Sequence, residues 1–156
     1  LTDRHQRVVV GGCGSLWSPV ISGVPQGTVL GPLLILLYIN DITDDLDSNI
    51  RLFADDCILY REIVDDGDTG KLQADIDKLY SWSNTWQMNF NPKKCLVLSI
   101  SRKRRSPFPD YRLGNKPLTV VDSYPYLGVT VSPDLRWHRH IDSICIRATS
   151  ILNLVR

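Results

Sequence analysis

Short β-prone runs alternate along this chain with longer stretches of helical spacing, and glycine-rich or acidic turns separate them. Arg7-Val8-Val9-Val10 and Trp17 to Ile21 flank Gly11-Gly12-Cys13-Gly14, a pattern that predicts a hairpin. The loop Ser22-Gly23-Val24-Pro25-Gln26-Gly27 leads into a predicted helix from about Thr28 to Ile42. Thr28 is of the residue type that caps a helix start, and Pro32 is tolerated there only in or near the first turn. Leu33 to Ile39 is apolar on almost every side, so this helix is expected to be buried.

Ile50 to Tyr60 reads as two apolar strands meeting at an acidic tip, Asp55-Asp56. From Gly70 to Gln87, Leu72, Ile76, Leu79 and Trp86 follow helical spacing, with Asp75, Asp77 and Lys78 on other faces. Cys95 to Ile100 predicts a strand. Tyr111 to Leu113 and Leu118 to Val121 flank Gly114-Asn115, a second predicted hairpin. Tyr124 to Val131 is β-prone but interrupted at Pro125 and Gly128. Trp137, Ile141, Ile144, Cys145, Ala148, Leu152 and Val155 mark one face of a closing helix.

Length and composition narrow the class. A chain of 156 residues, 43% hydrophobic and 22% charged, can bury a core and has the make-up of a globular protein. The longest apolar run, Val29 to Ile39, is too short to span a bilayer, and no membrane partner is expected. Cys13, Cys57, Cys95 and Cys145 form no CxxC pair and, with His5, His138 and His140, offer no zinc spacing. Reduced thiols in an intracellular protein, nuclear or cytoplasmic, are the expectation. The net charge of +1 hides a division: residues 1–78 hold six Lys and Arg against thirteen acids, residues 79–156 twelve against four. One half can gather cations, and the other can grip phosphates.

Three Asp-Asp pairs allow an internal comparison. Asp44-Asp45 and Asp65-Asp66 lie among loop residues and are read as solvated, without a role. Asp55-Asp56 is delivered by apolar flanks and is expected on a semi-buried turn, where two like charges need compensation. Oxygen-only ligands point to Mg²⁺; the alternative is a polar hairpin tip.

The surroundings of that pair carry a resemblance. Phe53-Ala54-Asp55-Asp56 resembles the metal-binding hairpin of reverse transcriptases. Ser22 to Leu34 is similar to their nucleotide-pocket motif in its non-LTR, LINE-type form, and Leu37 to Ile42 continues the likeness. Trp86 to Cys95 resembles the family's helix-loop-strand with its lysine, best matched by Lys94. Tyr124 to Val129 is similar to its primer-grip hairpin. Four motifs in the family's order span nearly the whole chain.

The resemblance implies an α+β polymerase palm: an antiparallel sheet with helices on one face, occupying residues 1–135, and the beginning of a helical thumb over 136–156. It implies RNA-directed DNA polymerase activity with Mg²⁺, an RNA template, a DNA primer and deoxynucleoside triphosphates. Asp55 and Asp56 would be catalytic metal ligands, and Gln26 and Gly27 nucleotide-binding. Tyr126, Leu127 and Gly128 would grip the primer. Lys94 would stabilise charge or donate a proton near the leaving pyrophosphate; read alone, it is an ordinary solvated lysine. Arg102 to Arg105 is either a solvated loop or a phosphate contact. The palm's other aspartate and the fingers have no counterpart in this sequence, so the chain is expected to be a fragment of a longer polyprotein. The competing reading is a catalytically inactive, nucleic-acid-binding remnant.

Overall fold

Gly11 and Gly12, at φ +56° and +83°, reverse the chain in two residues, as a tight hairpin turn requires. Strands β1 (His5–Gln6), β2 (Val9–Val10), β3 (Cys13–Gly14) and β4 (Ser18–Pro19) surround that turn. Cys13 and Gly14 therefore belong to the returning strand and not to the turn. Val10 pairs with Cys13, but Gln6 pairs with Ser18, so the returning strand carries one extra residue near Leu16-Trp17. Opposite that bulge the Arg7 guanidinium lies over the Trp17 ring, 4.7 Å from its centroid.

The computed structural model describes residues 3–25, 27–101 and 109–155, in two compact units, Leu1–Tyr60 and Arg61–Arg156. In the first, helix α1 (Leu30–Tyr38) runs into a 3₁₀ turn, Asn40–Thr43. The Thr28 hydroxyl accepts from the Gly31 N–H at 3.1 Å, so the predicted capping residue does cap, although regular helix begins at Leu30. Pro32 falls in the first turn.

The expectation of a buried helix is corrected. Within α1 only Gly31 is buried; Leu33 is 52% and Leu37 67% exposed, while the buried apolar residues are Ile39 and Ile42 beyond the helix end. A helix apolar all round needs cover on every face, and a unit of this size has too little chain to give it. Strands β5 (Asn49–Phe53) and β6 (Asp56–Tyr60) close the unit as an antiparallel hairpin.

The second unit is built on helix α2 (Asp66–Thr85), which starts four residues before the expected Gly70. After it come β7 (Leu96–Leu98), β8 (Arg112–Leu113), β9 (Lys116–Pro117), β10 (Thr119–Val121), β11 (Tyr124–Tyr126), β12 (Val129–Val131) and helix α3 (His138–Val155). Ile76 and Leu79 of α2, with Tyr111 and Leu113, form the buried apolar centre. The β8–β9 hairpin is fastened to α2 by one side chain. Gln73 Nε2 donates to the Arg112 carbonyl and Gln73 Oε1 accepts from the Arg112 N–H, both at 2.9 Å.

Mixed helix and strand bear out the α+β class, but the predicted antiparallel sheet with helices on one face is corrected. Among the described residues the strands form six separate two-stranded pairs, and β7–β10 is parallel. The second predicted hairpin is accordingly shorter: Thr119 to Val121 pairs with Leu96 to Leu98 instead of continuing along β8. The long connection between β7 and β10 allows this, since parallel partners need a crossover of about a dozen residues or more. No described helix is long and apolar enough to cross a membrane.

Candidate active site

Phe53 pairs with Asp56 across the β5–β6 hairpin, so Ala54 and Asp55 make up the whole turn. Directly opposed residues project from the same face, so Phe53 and Asp56 share one face of the ribbon. Ala54 takes φ +51°, a left-handed conformation costing an L-residue roughly 1–2 kcal/mol. The strands thus hold two consecutive carboxylates at a tip that the local sequence does not favour.

That tip is exposed, which corrects the expected semi-buried turn. Asp55 and Asp56 are both exposed, and Phe53 is 59% so. Water therefore weakens their mutual repulsion. Among the described residues neither carboxylate has an ion pair or side-chain hydrogen bond, whereas other aspartates are engaged. Two adjacent carboxylates supply only hard oxygen donors, which suits Mg²⁺. No group of three or more His, Cys, Asp or Glu able to hold a metal occurs among the described residues. The pair by itself fits part of a divalent-cation site.

One of the other aspartate pairs, Asp65-Asp66, sorts differently from its sequence reading. Asp65 is no idle loop residue: its side chain caps α2 by accepting from the Asp68 N–H at 3.1 Å. Asp68 answers with Oδ2, which accepts from the Val64 and Asp65 N–H groups, and Oδ1 meets Arg61 Nε at 3.2 Å and Lys71 Nζ at 3.4 Å. The Val64 and Asp65 N–H groups, then Arg61 and Lys71, outweigh burial and hold the Asp68 carboxyl down at about 2. An acid three residues after a capping aspartate, ahead of the Leu72–Ile76 spacing, was the signal for this reciprocal cap.

In the first unit, Gly27 sits at φ +73° in the loop before α1. That loop is pinned from two sides: Arg4 Nη2 donates to the Gly23 carbonyl at 2.6 Å, and the Thr28 hydroxyl donates to the Pro25 carbonyl at 3.0 Å. A Cβ on Gly31 would lie 2.9 Å from the Pro25 carbonyl oxygen, so the loop's approach to α1 requires glycine there. Gln26 lies outside the described residues, as do Arg102 to Arg105.

Lys94 and the primer-grip candidates belong to the second unit. Lys94 is exposed and follows a turn in which Asn91 Oδ1 accepts from the Lys93 N–H and the Asn91 carbonyl from the Lys94 N–H. Tyr126 pairs with Val129, leaving Leu127 and Gly128 as a two-residue turn at φ +47° and +83°. Leu127 is 48% exposed at its tip. Sequence reasoning missed His140, whose Nδ1 accepts from the Thr130 N–H of this hairpin at 3.3 Å.

A family model described as reverse transcriptase (RNA-dependent DNA polymerase) matches residues 8–131. The chain is 31% identical over 153 residues to an RNA-directed DNA polymerase from mobile element jockey of Drosophila melanogaster, covering 92% of this chain and 17% of that protein. It is 33% identical over 134 residues to a probable RNA-directed DNA polymerase from transposon X-element of the same species, covering 82% and 15%. A putative 115 kDa protein in its type-1 retrotransposable element R1DM is 28% identical, over 95% of this chain and 15% of that one. The chain thus spans about a sixth of the length of these curated relatives. No solved structure matches it. With the family model covering most of the sequence and the Asp-Asp hairpin in place, the chain belongs to the reverse transcriptases of non-LTR retrotransposons.

Proposed function

We propose that this chain is the part of an RNA-directed DNA polymerase palm that supplies two of its metal-binding carboxylates, with the start of the thumb in α3. The observation that carries this reading is the Ala54-Asp55 turn, which sets Asp55 and Asp56 side by side at an exposed hairpin tip without a competing ion pair among the described residues. The parent protein extends a DNA primer on an RNA template, using deoxynucleoside triphosphates. An intracellular setting belongs to the same reading, since all four cysteines are free thiols.

Asp55 and Asp56 would hold Mg²⁺, which supplies charge neutralisation at the transferring phosphoryl group when bound. The chain's own contribution is placement. The two-residue turn fixes both carboxylates on one rigid ribbon, and such prepositioning lowers the reorganisation needed at the moment of reaction. Gly27, with no side chain in the way, leaves open backbone for a nucleotide; no atom would lie within 4 Å of a Cβ there. The Leu127-Gly128 turn offers the primer a backbone contact together with the exposed Leu127 side chain at its tip, and Lys94 offers the leaving group a cation.

The test is primer extension by the full-length parent protein. Asp55→Asn keeps shape but removes a ligand charge, and should lower incorporation by orders of magnitude at unchanged template binding. Near-normal extension by this variant would overturn the assignment.

A further inference from the structure

The β11–β12 hairpin contains a proline that its pairing explains. Tyr126 and Val129 flank the two-residue turn and bond to each other, so the next pair, Pro125 and Thr130, points its backbone groups outward. Proline loses nothing at such a position, having no N–H to offer. Thr130 does have one, and it faces away from β11. That outward N–H is met by His140 Nδ1 from the first turn of α3, at 3.3 Å. Beside it, Arg139 Nη1 donates to the Asp122 carbonyl at 3.0 Å.

We propose that His140, in its neutral form, is a positioning residue that latches the Tyr124–Val131 hairpin to α3, and that protonation of the imidazole releases the latch. An imidazole nitrogen can accept only while it carries no proton; the imidazolium is donor on both sides and would turn an N–H toward the Thr130 N–H. Histidine changes charge between about pH 5 and 8. On α3 itself the ring's charged or titratable neighbours are His138, Arg139 and Asp142, the last just beyond a first turn that has no acid. Among the neighbouring elements β12 has no titratable side chain, β11 has Tyr124 and Tyr126, and the segments flanking the hairpin have Asp122, Asp134 and Arg136. Asp134 is committed elsewhere, accepting from the Arg136 N–H at 3.1 Å with Ser132 Oγ 2.8 Å away. The relevance to catalysis rests on the reading of Leu127-Gly128 as the primer grip; the latch itself does not.

The test is amide hydrogen exchange of the ¹⁵N-labelled 156-residue chain, with rates corrected for intrinsic pH dependence. In the wild type the Thr130 amide should be protected above the titration of the His140 ring protons and lose roughly tenfold of that protection below it, as one hydrogen bond is removed. Arg112, held by the non-titrating Gln73, is the internal standard and should not change. His140→Asn keeps an acceptor near the Nδ1 position and should protect Thr130 at both pH values; His140→Ala should protect it at neither. Protection that ignores the imidazole titration, that falls equally at Arg112, or that survives in His140→Ala would overturn the proposal. None of these readouts depends on polymerase activity, so its failure is separable from failure of the functional reading.

Discussion

Gly114 packs against the Cζ end of the Tyr80 ring: a Cβ there would stand 2.6 Å from Cζ and 2.8 Å from Cε1. Its φ of +59° adds a second demand for glycine. Gly114→Ala should therefore destabilise the second unit by about 2–3 kcal/mol, partly from left-handed backbone and partly from collision. A urea titration of the two single variants and the Gly114→Ala/Tyr80→Ala double variant separates the contributions. In the double variant the alanine should cost only about 1 kcal/mol. Full additivity would show that the ring is not the obstacle.

Leu127 occupies a left-handed position, φ +47°, ahead of Gly128, where asparagine is the preferred residue for a two-residue hairpin. Leu127→Asn should stabilise the hairpin by about 1 kcal/mol, read as a rise in denaturation midpoint. The same substitution in the full polymerase should reduce primer extension, because the exposed leucine would be retained for contact and not for the fold. Improved stability with undiminished extension would remove Leu127 from the primer-grip assignment.

Asp68 makes stability depend on acid. Its carboxyl is lowered from 3.8 to about 2, chiefly by the Val64 and Asp65 N–H groups. A group depressed on folding stabilises above its unfolded value, so this contribution should be complete above about pH 4 and vanish as pH falls through about 2. Asp68→Asn should flatten the thermal midpoint over that window. Its neighbour Asp65 is expected to behave otherwise: Asp65→Asn preserves the cap and should be near neutral, while Asp65→Ala should cost about 1 kcal/mol.

The charge division predicts a salt effect. We expect Arg102, Lys103, Arg104 and Arg105 to contact phosphates, because the half of the sequence containing them has twelve cations against four acids. Changing all four to serine in the parent protein should weaken duplex binding for every sequence alike. For every phosphate no longer neutralised, the slope of log K against log salt should fall by about 0.9. An unchanged slope would make the run an ordinary solvated loop.

What the sequence made legible was mostly local. The Asp55-Asp56 hairpin could be placed because apolar runs bracket a two-residue turn, and α3 because its spacing is continuous from Trp137 to Val155. The partner of Thr119 to Val121 could not be, since parallel pairing is chosen by a distant strand and leaves no mark between the two. Asp65 and Asp66 read as solvated because a capping acid and a loop acid look alike until the helix start is fixed. His140 was passed over as one of three scattered histidines; its partner is a backbone N–H whose direction follows only from the register of Tyr126 with Val129. The burial expected of α1 failed because hydrophobicity records what a segment can bury, not whether enough chain is present to bury it.

The Gln73 amide bonded to both backbone groups of Arg112 acts as a one-residue substitute strand. A bare strand edge is an invitation to any other chain with unpaired backbone, and hairpins as short as β8–β9 have little else to deter such a guest. Here the vacancy is filled from within, by a side chain rooted in a helix and too short to extend the ladder further. The hairpin is therefore closed to strand addition along that side, and Gln73→Ala would reopen it, exposing a seed for self-association before any loss of fold was visible.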